Sequence, residues 1–321
     1  AANAAAAFHG PPRYHLSRTE GTMFDNNLRG MIDDVKDGRL DRRAFVKRMI
    51  AVGLTAPMAN QILSLGGVAM AQSPNPYKPT KRGGGGPLKL LWWQGPTLLN
   101  PHFATGTKDQ DGSRIFYEPL ASWDVDGHLN PILAAEIPSI QNGGLSADAK
   151  SVTWKLKPGV KWHDGKPLSA DDVVFTWEYA SDPATAAVSI ETYSGLTVEK
   201  IDDLTIRINF KKPTPFWANA FVGGYGSIIP KHLFADYKGG KSREAPNNLK
   251  PVGTGPYKFV ERVQQDRIVL EKFADYWNKD NVFIDRIVYL PIVDATVRLA
   301  NLKSGGLDLI ERVLATDLKD V

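Results

Sequence analysis

The 321-residue chain contains no cysteine, so disulfides, thiolate metal sites and cysteine nucleophiles are excluded. Histidine is scarce as well. The six residues His9, His15, His102, His128, His163 and His232 are scattered, and no two stand three or four positions apart as a helical zinc pair would. Neither a G-x-S-x-G elbow nor an H-E-x-x-H helix is present. No catalytic residue, metal ligand or cofactor site is therefore expected. A dominant charge of one sign is also missing from most of the chain. Residues 1–71 hold nine Lys+Arg and six Asp+Glu, leaving 30 and 29 of the totals of 39 and 35 for the remainder. The basic excess thus sits in the leader, and nucleic acid is discarded as a partner.

What is present is ordinary for a soluble globular protein, with 42% hydrophobic and 23% charged residues and a length that suggests two domains. The most legible stretch covers residues 151–179. Val152, Trp154 and Leu156 alternate with Thr153, Lys155 and Lys157, the period of a half-buried strand. Pro158-Gly159 makes a turn, residues 160–162 a second extended piece, and His163-Asp164-Gly165 another turn. Ser169 with Asp172 three residues on forms a capping-box pattern, and Val173, Val174, Trp177 and Ala180 give an apolar helix face. His163-Asp164 could be read as a base and its orienter, but its place at a turn favours a structural role. Asp171-Asp172 could be read as paired carboxylates, but capping explains both, and adjacent helix positions do not face each other.

The run W-x-L-K-x-G-V-K-W-H-D-G-x-P-L-S-A-x-D-V at residues 154–173 resembles the signature of the family 5 solute-binding proteins. These are the extracytoplasmic peptide, dipeptide and nickel receptors of bacterial ABC importers. Further segments resemble the family in order: L-N-P-x-x-A-T-G-T at 99–107, Y-E-P-L at 117–120, D-x-D-G-x-x-x-P-x-L-A at 124–134, G-T-G-P-Y at 253–257, D-Y-W-N at 275–278 and S-G-x-x-D-L at 304–309. The resemblance covers roughly residues 88–321. It implies an α/β fold of the periplasmic-binding-protein-like kind (type 2, cluster C), two-lobed and here truncated before the second ligand-gripping lobe. By resemblance, residues 88–118 and 218–312 form the first lobe, 119–217 a smaller inserted domain, and 313–321 the start of the absent lobe.

Residues 1–71 read as a leader. Residues 1–22 show no useful periodicity, and Met23 is a plausible start. Arg42 and Arg43, then Phe45 and Lys47, look like a twin-arginine export motif. The uncharged run 49–71, diluted by Gly53, Pro57, Asn60 and Gln61, ends in Ala69-Met70-Ala71, a small-x-small cleavage site. A membrane anchor is the alternative, since the run is long enough to span. Residues 72–87 read as a Pro/Gly linker whose four glycines lack the spacing of a phosphate loop. The mature protein is expected in the periplasm from about Gln72.

Within the globular part, residues 88–93, 267–272 and 284–291 read as strands, 198–201 with 204–210 as a hairpin, and Asp126-Gly127 as a hairpin turn. Asp294 caps a helix bearing Val297, Leu299, Ala300 and Leu302, after which residues 307–310 return as a strand. The tryptophans Trp92, Trp93, Trp154, Trp162, Trp177 and Trp277 read as core.

The resemblance supplies the ligand-binding candidates. Ala104, Thr105, Gly106 and Thr107 align with a segment that lies against the ligand, where small residues let backbone groups pair with an extended peptide. Thr107 as a helix cap is the plainer reading. Tyr225, in a glycine-rich loop, is a candidate aromatic wall. The implied function is capture of a small-molecule or peptide ligand by lobe closure and delivery to an inner-membrane ABC permease, the protein being a monomer. Ligand identity (peptide, opine, metal chelate or sugar) is left open. An exported cofactor-bearing enzyme and a sensory ligand-binding subunit remain as alternatives.

Overall fold

The computed structural model describes residues 18–69 and 84–319. Ala71 of the expected cleavage site and residues 72–83 of the expected linker lie outside the described residues. Three helices come first: α1 (Arg18–Lys36), α2 (Arg42–Ala51) and α3 (Ala56–Leu65). Next are β1 (Pro87–Trp92), α4 (Thr107–Arg114), β2 (Ala121–Trp123), β3 (Leu129–Pro131), β4 (Ser151–Lys155), α5 (Ala170–Ser181) and α6 (Ile190–Tyr193). Then follow β5 (Leu196–Asp202), β6 (Thr205–Phe210), α7 (Lys231–Phe234), β7 (Tyr257–Val263), β8 (Arg267–Lys272), β9 (Arg286–Pro291) and α8 (Ala295–Lys303).

The alternation at 151–157 becomes the edge of an antiparallel sheet with order β4-β6-β5. Trp154 pairs with Ile206, and Val152 and Val198 both flank Ile208, so these side chains share the buried face. The helix α5 is tied at its start as its sequence requires, the Ser169 N–H donating to Asp172 Oδ2 at 3.0 Å. Its covered face differs from the expected one. Val173, Phe175, Thr176, Tyr179 and Ala180 are buried, whereas Val174 and Trp177 are only half-buried. A polar Thr176 fits inside because its hydroxyl donates to the Asp172 carbonyl and accepts from the Ile229 N–H, leaving no unpaired group.

The second sheet has the order β1-β9-β8-β7, with β1 and β9 parallel and the other neighbours antiparallel. β7 was not foreseen. It is an edge strand with a bulge between Phe259 and Glu261, which breaks the alternation that would reveal it. Residues 307–310 do not form a full strand; Leu309 makes a single parallel bridge to Leu90. α8 is capped by Asp294 but buries only Arg298 and Leu299, with Val297 and Ala300 exposed. The end of the expected linker is pinned, since the Gly86 N–H donates to Asp285 Oδ2 at 2.8 Å.

One apolar core runs through both sheets, from Leu99 to Tyr289, and includes the buried Trp154, Trp162 and Trp217. Trp92, Trp93, Trp177 and Trp277 are half-buried. The helices before residue 69 form a smaller cluster around Phe45, Met49, Ala59 and Leu63. The helix α1 was missed, although Leu28, Met31, Ile32 and Val35 stand at helical spacing and pack on this cluster. Within the uncharged run, residues 49–65 fold as the end of α2 and as α3, broken by Gly53 at φ +96°. No helix among the described residues is long and apolar enough to cross a membrane. This cluster also docks on the rest: buried Asn60 donates to the Gly127 carbonyl at 2.7 Å, and buried Gln61 accepts from the Ala218 N–H at 3.0 Å.

Three of the segments read from the sequence meet at Glu118, which is only 7% exposed. Its carboxylate accepts from Tyr276 OH at 2.7 Å, Thr254 Oγ1 at 3.0 Å and Trp277 Nε1 at 3.1 Å. Lys157, which donates to the Ile132 carbonyl, places its ammonium 4.1 Å from the centre of the Trp277 ring. Burial pushes the Glu118 carboxyl above its ordinary value, while the three donors and the Lys157 charge pull it back. The neighbouring Gly253 and Gly255 have no room for a side chain: a Cβ on Gly253 would sit 1.8 Å from the Phe116 carbonyl oxygen. Glu118→Leu, which orphans the buried Thr254 and Tyr276 hydroxyls and the indole N–H of the half-buried Trp277, is expected to lose about 3 kcal/mol or more of unfolding free energy in urea titration. Gly253→Ala, forced against backbone, is expected to lose a comparable amount.

Candidate functional site

The loop from β1 into α4 carries Ala104, Thr105, Gly106 and Thr107. Ala104 is buried, Gly106 is half-buried, and Thr105 and Thr107 are exposed. Thr107 is not the helix cap: Gly106 holds that position in extended conformation, and Thr107 is the first residue of α4. The threonine hydroxyls therefore face outward beside a backbone that no Cβ of residue 106 obstructs.

A buried polar network anchors this loop from below. Asn100 Oδ1 accepts from the His102 N–H at 2.9 Å, and Asn100 Nδ2 donates to Asn248 Oδ1 at 2.9 Å. Asn248 Nδ2 donates to the Ser242 carbonyl, and the Leu99 N–H donates to the Asn248 carbonyl at 2.7 Å. His102 Nδ1 lies 2.9 Å from Ser189 Oγ, and its carbonyl accepts from the Val188 N–H. Asn100, His102, Ser189 and Asn248 are all buried. Sequence reasoning missed these supports. Asn100 and His102 stand inside the L-N-P-H stretch, but only the fold shows that their partners lie 87 and 148 residues away.

Tyr225 is brought to the same region. Its hydroxyl oxygen accepts from Gln110 Nε2 at 2.9 Å, one turn into α4, and its carbonyl accepts from Tyr193 OH at 3.1 Å. Tyr225 is 43% exposed. Tyr225 lines an open groove of about 940 Å³ whose walls include Trp123, Phe216, Glu191, Lys211 and Lys212. Residues 104–107 do not line that groove; the Gln110–Tyr225 contact joins the two.

The other candidates resolve into structural roles. His163 Nδ1 accepts from the Gly253 N–H at 3.1 Å, and its Nε2–H points at the Gly255 carbonyl at 2.9 Å. Both ring nitrogens are thus committed to the G-T-G segment, and burial holds the imidazole down to about 4. Asp164 meets His232 Nε2 at 2.7 Å, on a different residue altogether. Asp172 is buried, accepting from the Ser169 and Lys231 N–H groups, while Asp171 pairs with Lys200 at 2.6 Å. Among the described residues, no three His, Asp or Glu side chains gather as a metal site would require.

Of the export candidates, all four lie on α2. Phe45 is fully buried, Arg43 and Lys47 line a shallow cleft with Ile50 and Val125, and Arg42 donates to Asn60 Oδ1 and to the Ala69 carbonyl at 2.9 Å. Ala69 is exposed.

Against known proteins, the profile of the bacterial extracellular solute-binding proteins, family 5, middle region, matches residues 128–321. The periplasmic oligopeptide-binding protein OppA of Escherichia coli is 30% identical over 238 residues, 68% of this chain and 42% of that protein. The oligopeptide-binding protein AppA of Bacillus subtilis is 34% identical over 227 residues, covering 70% and 40%. The solved structure of Bacillus subtilis AppA with a nonapeptide matches with a TM-score of 0.67 at 33% identity, covering 75% of this chain and 46% of that one. NikZ from Campylobacter jejuni with Ni(L-His) matches at 0.60 and 26%, covering 69% and 42%. The chain therefore spans less than half the length of each of these proteins.

The two buried imidazoles set an acid limit. Both His102 and His163 are held at about 4 by burial, against 6.5 when exposed. The unfolded chain takes up these protons first, so their contribution is complete above pH 6.5 and is lost as pH falls towards 4. Thermal midpoints followed by circular dichroism are expected to drop across that window. His163→Gln should lower the midpoint at pH 7.5 and make the acid decline shallower.

Proposed function

Because the chain belongs to the bacterial extracellular solute-binding proteins of family 5, we propose that the protein is the solute-capturing component of an ABC importer and takes a short peptide. The observation that carries this reading is the exposed loop at Thr105–Gly106–Thr107, seated on the Asn100–Asn248–His102 network, with Tyr225 hydrogen-bonded to Gln110 in the first turn of the helix that follows. An extended peptide could lay its backbone along such a loop as an added strand, exchanging N–H and C=O groups with it, while Tyr225 offers an apolar face. A pre-seated loop lowers the ordering cost of binding. In the whole protein, two lobes would close over the solute and present the closed form to the permease, so affinity and transport are both read from one hinge motion. Family members bind solutes, and capture of this kind makes and breaks no covalent bond.

The reading includes export to the periplasm, with Arg42, Arg43, Phe45 and Lys47 as the targeting motif and cutting after Ala71. Its support is the sequence pattern together with the extracytoplasmic family.

Native mass spectrometry of the protein purified without denaturation from its natural compartment tests the proposal. A co-purifying mass that fragments as a short peptide is expected. A tightly held metal chelate or organic cofactor in its place would overturn the peptide assignment. Once the peptide is known, Tyr225→Ala is expected to weaken its binding by about tenfold, the loss of one aromatic contact of roughly 1–1.5 kcal/mol.

A further inference from the structure

We infer that the groove beside Tyr225 receives a carboxylate of the captured solute, with Lys211 and Lys212 as its counter-charges; this rests on the solute-binding reading above. At about 940 Å³ the groove has the size of a small-molecule site. Its walls are unusually aromatic for a surface depression, combining Trp123, Phe216 and the half-exposed ring of Tyr225.

Some surface lysines are matched to acids, as Lys155 is to Glu136, Lys200 to Asp171 and Asp203, and Lys238 to Glu178. Lys211 and Lys212 stand side by side in the groove lining, both exposed, and among the described residues neither ammonium makes an ion pair or hydrogen bond. They are held there by backbone: the Lys211 N–H donates to the Gly195 carbonyl at 3.1 Å, and Pro213 restricts Lys212 to extended conformation. Glu191, the acid in the lining, forms an ion pair with neither lysine. A ligand with a carboxylate and an adjoining apolar side chain satisfies the lysines and the aromatic walls together. The Gln110–Tyr225 hydrogen bond links a wall of the groove to α4, the helix that the Thr105–Thr107 loop opens. An exposed ion pair alone contributes little, but a carboxylate that meets two lysines at once, with its apolar neighbour laid on the aromatic walls, approaches the strength of a charge-assisted hydrogen bond.

The carboxylate could be a peptide terminus or an acidic side chain. Calorimetry on protein freed of bound solute would compare Ala-Phe-Ala, its C-terminal amide, and Ala-Phe-Glu amide. The amide of Ala-Phe-Ala is expected to bind roughly tenfold more weakly than the free acid. In the Lys211→Gln, Lys212→Gln double variant, acid and amide should bind alike, with the circular dichroism spectrum unchanged. Recovery of affinity by Ala-Phe-Glu amide would assign the groove to side-chain carboxylates as well, and failure to recover would assign it to the terminus. Equal binding of acid and amide by the unaltered protein overturns the groove assignment while leaving peptide capture standing. Binding of none of the three overturns both.

Discussion

Removing a carboxylate from water costs several kcal/mol, and the fold offsets this at Glu118 with three donors from distant parts of the chain. Thr254, Tyr276 and Trp277 are 136, 158 and 159 residues away in sequence. Their convergence fixes where the strand-poor segment 253–257 passes over residues 115–117, at a spacing that only glycine permits. The same crossing presents the Gly253 N–H and the Gly255 carbonyl to His163. The turn that follows β4 is thereby tied to the sheet built from β7, β8 and β9. A single buried charge thus organises the contact between the two sheets, and one apolar core can run through both.

Local chemistry was readable wherever one residue pattern had one physical meaning. Alternation at Val152, Trp154 and Leu156 could only be a half-buried strand, and Ser169 with Asp172 could only open a helix. The strand at 267–272 and the Asp294 cap are equally plain. Legibility ended where meaning depended on a remote partner. Glu118 looked like any acid in a turn, and His102 like any scattered histidine, because their roles come from residues far along the chain. β7 was hidden by its bulge, and the buried face of α5 by Thr176, a polar residue made tolerable only by the Ile229 backbone. The candidate loop at 104–107 came from family likeness; its support by Asn100 and Asn248 did not.

On the proposed reading, the loop and the groove would divide the work of recognition between backbone and side chains. Around Thr105 and Thr107, the main chain would offer hydrogen bonds that any peptide can answer, whatever its sequence. In the groove, recognition would depend on charge and aromatic surface, which discriminate between solutes. Tyr225 sits between the two, its hydroxyl held by Gln110 and its carbonyl by Tyr193, and so cannot drift independently of either.

The docking of α2 and α3 carries a consequence for timing. Arg42 spends its guanidinium on Asn60 and on the Ala69 carbonyl, and Asn60 in turn reaches the Gly127 carbonyl. If the segment is the export signal proposed above, a receptor that reads the arginine pair, or a peptidase that needs residues around Ala69 extended, must compete with these contacts. The helical arrangement and the threaded one are alternative states of the same residues and cannot be occupied together. The order of events would then be set within the chain itself: completion of the β2–β3 turn creates the Gly127 acceptor, and from that moment the amino-terminal segment has a rival for whatever would escort it.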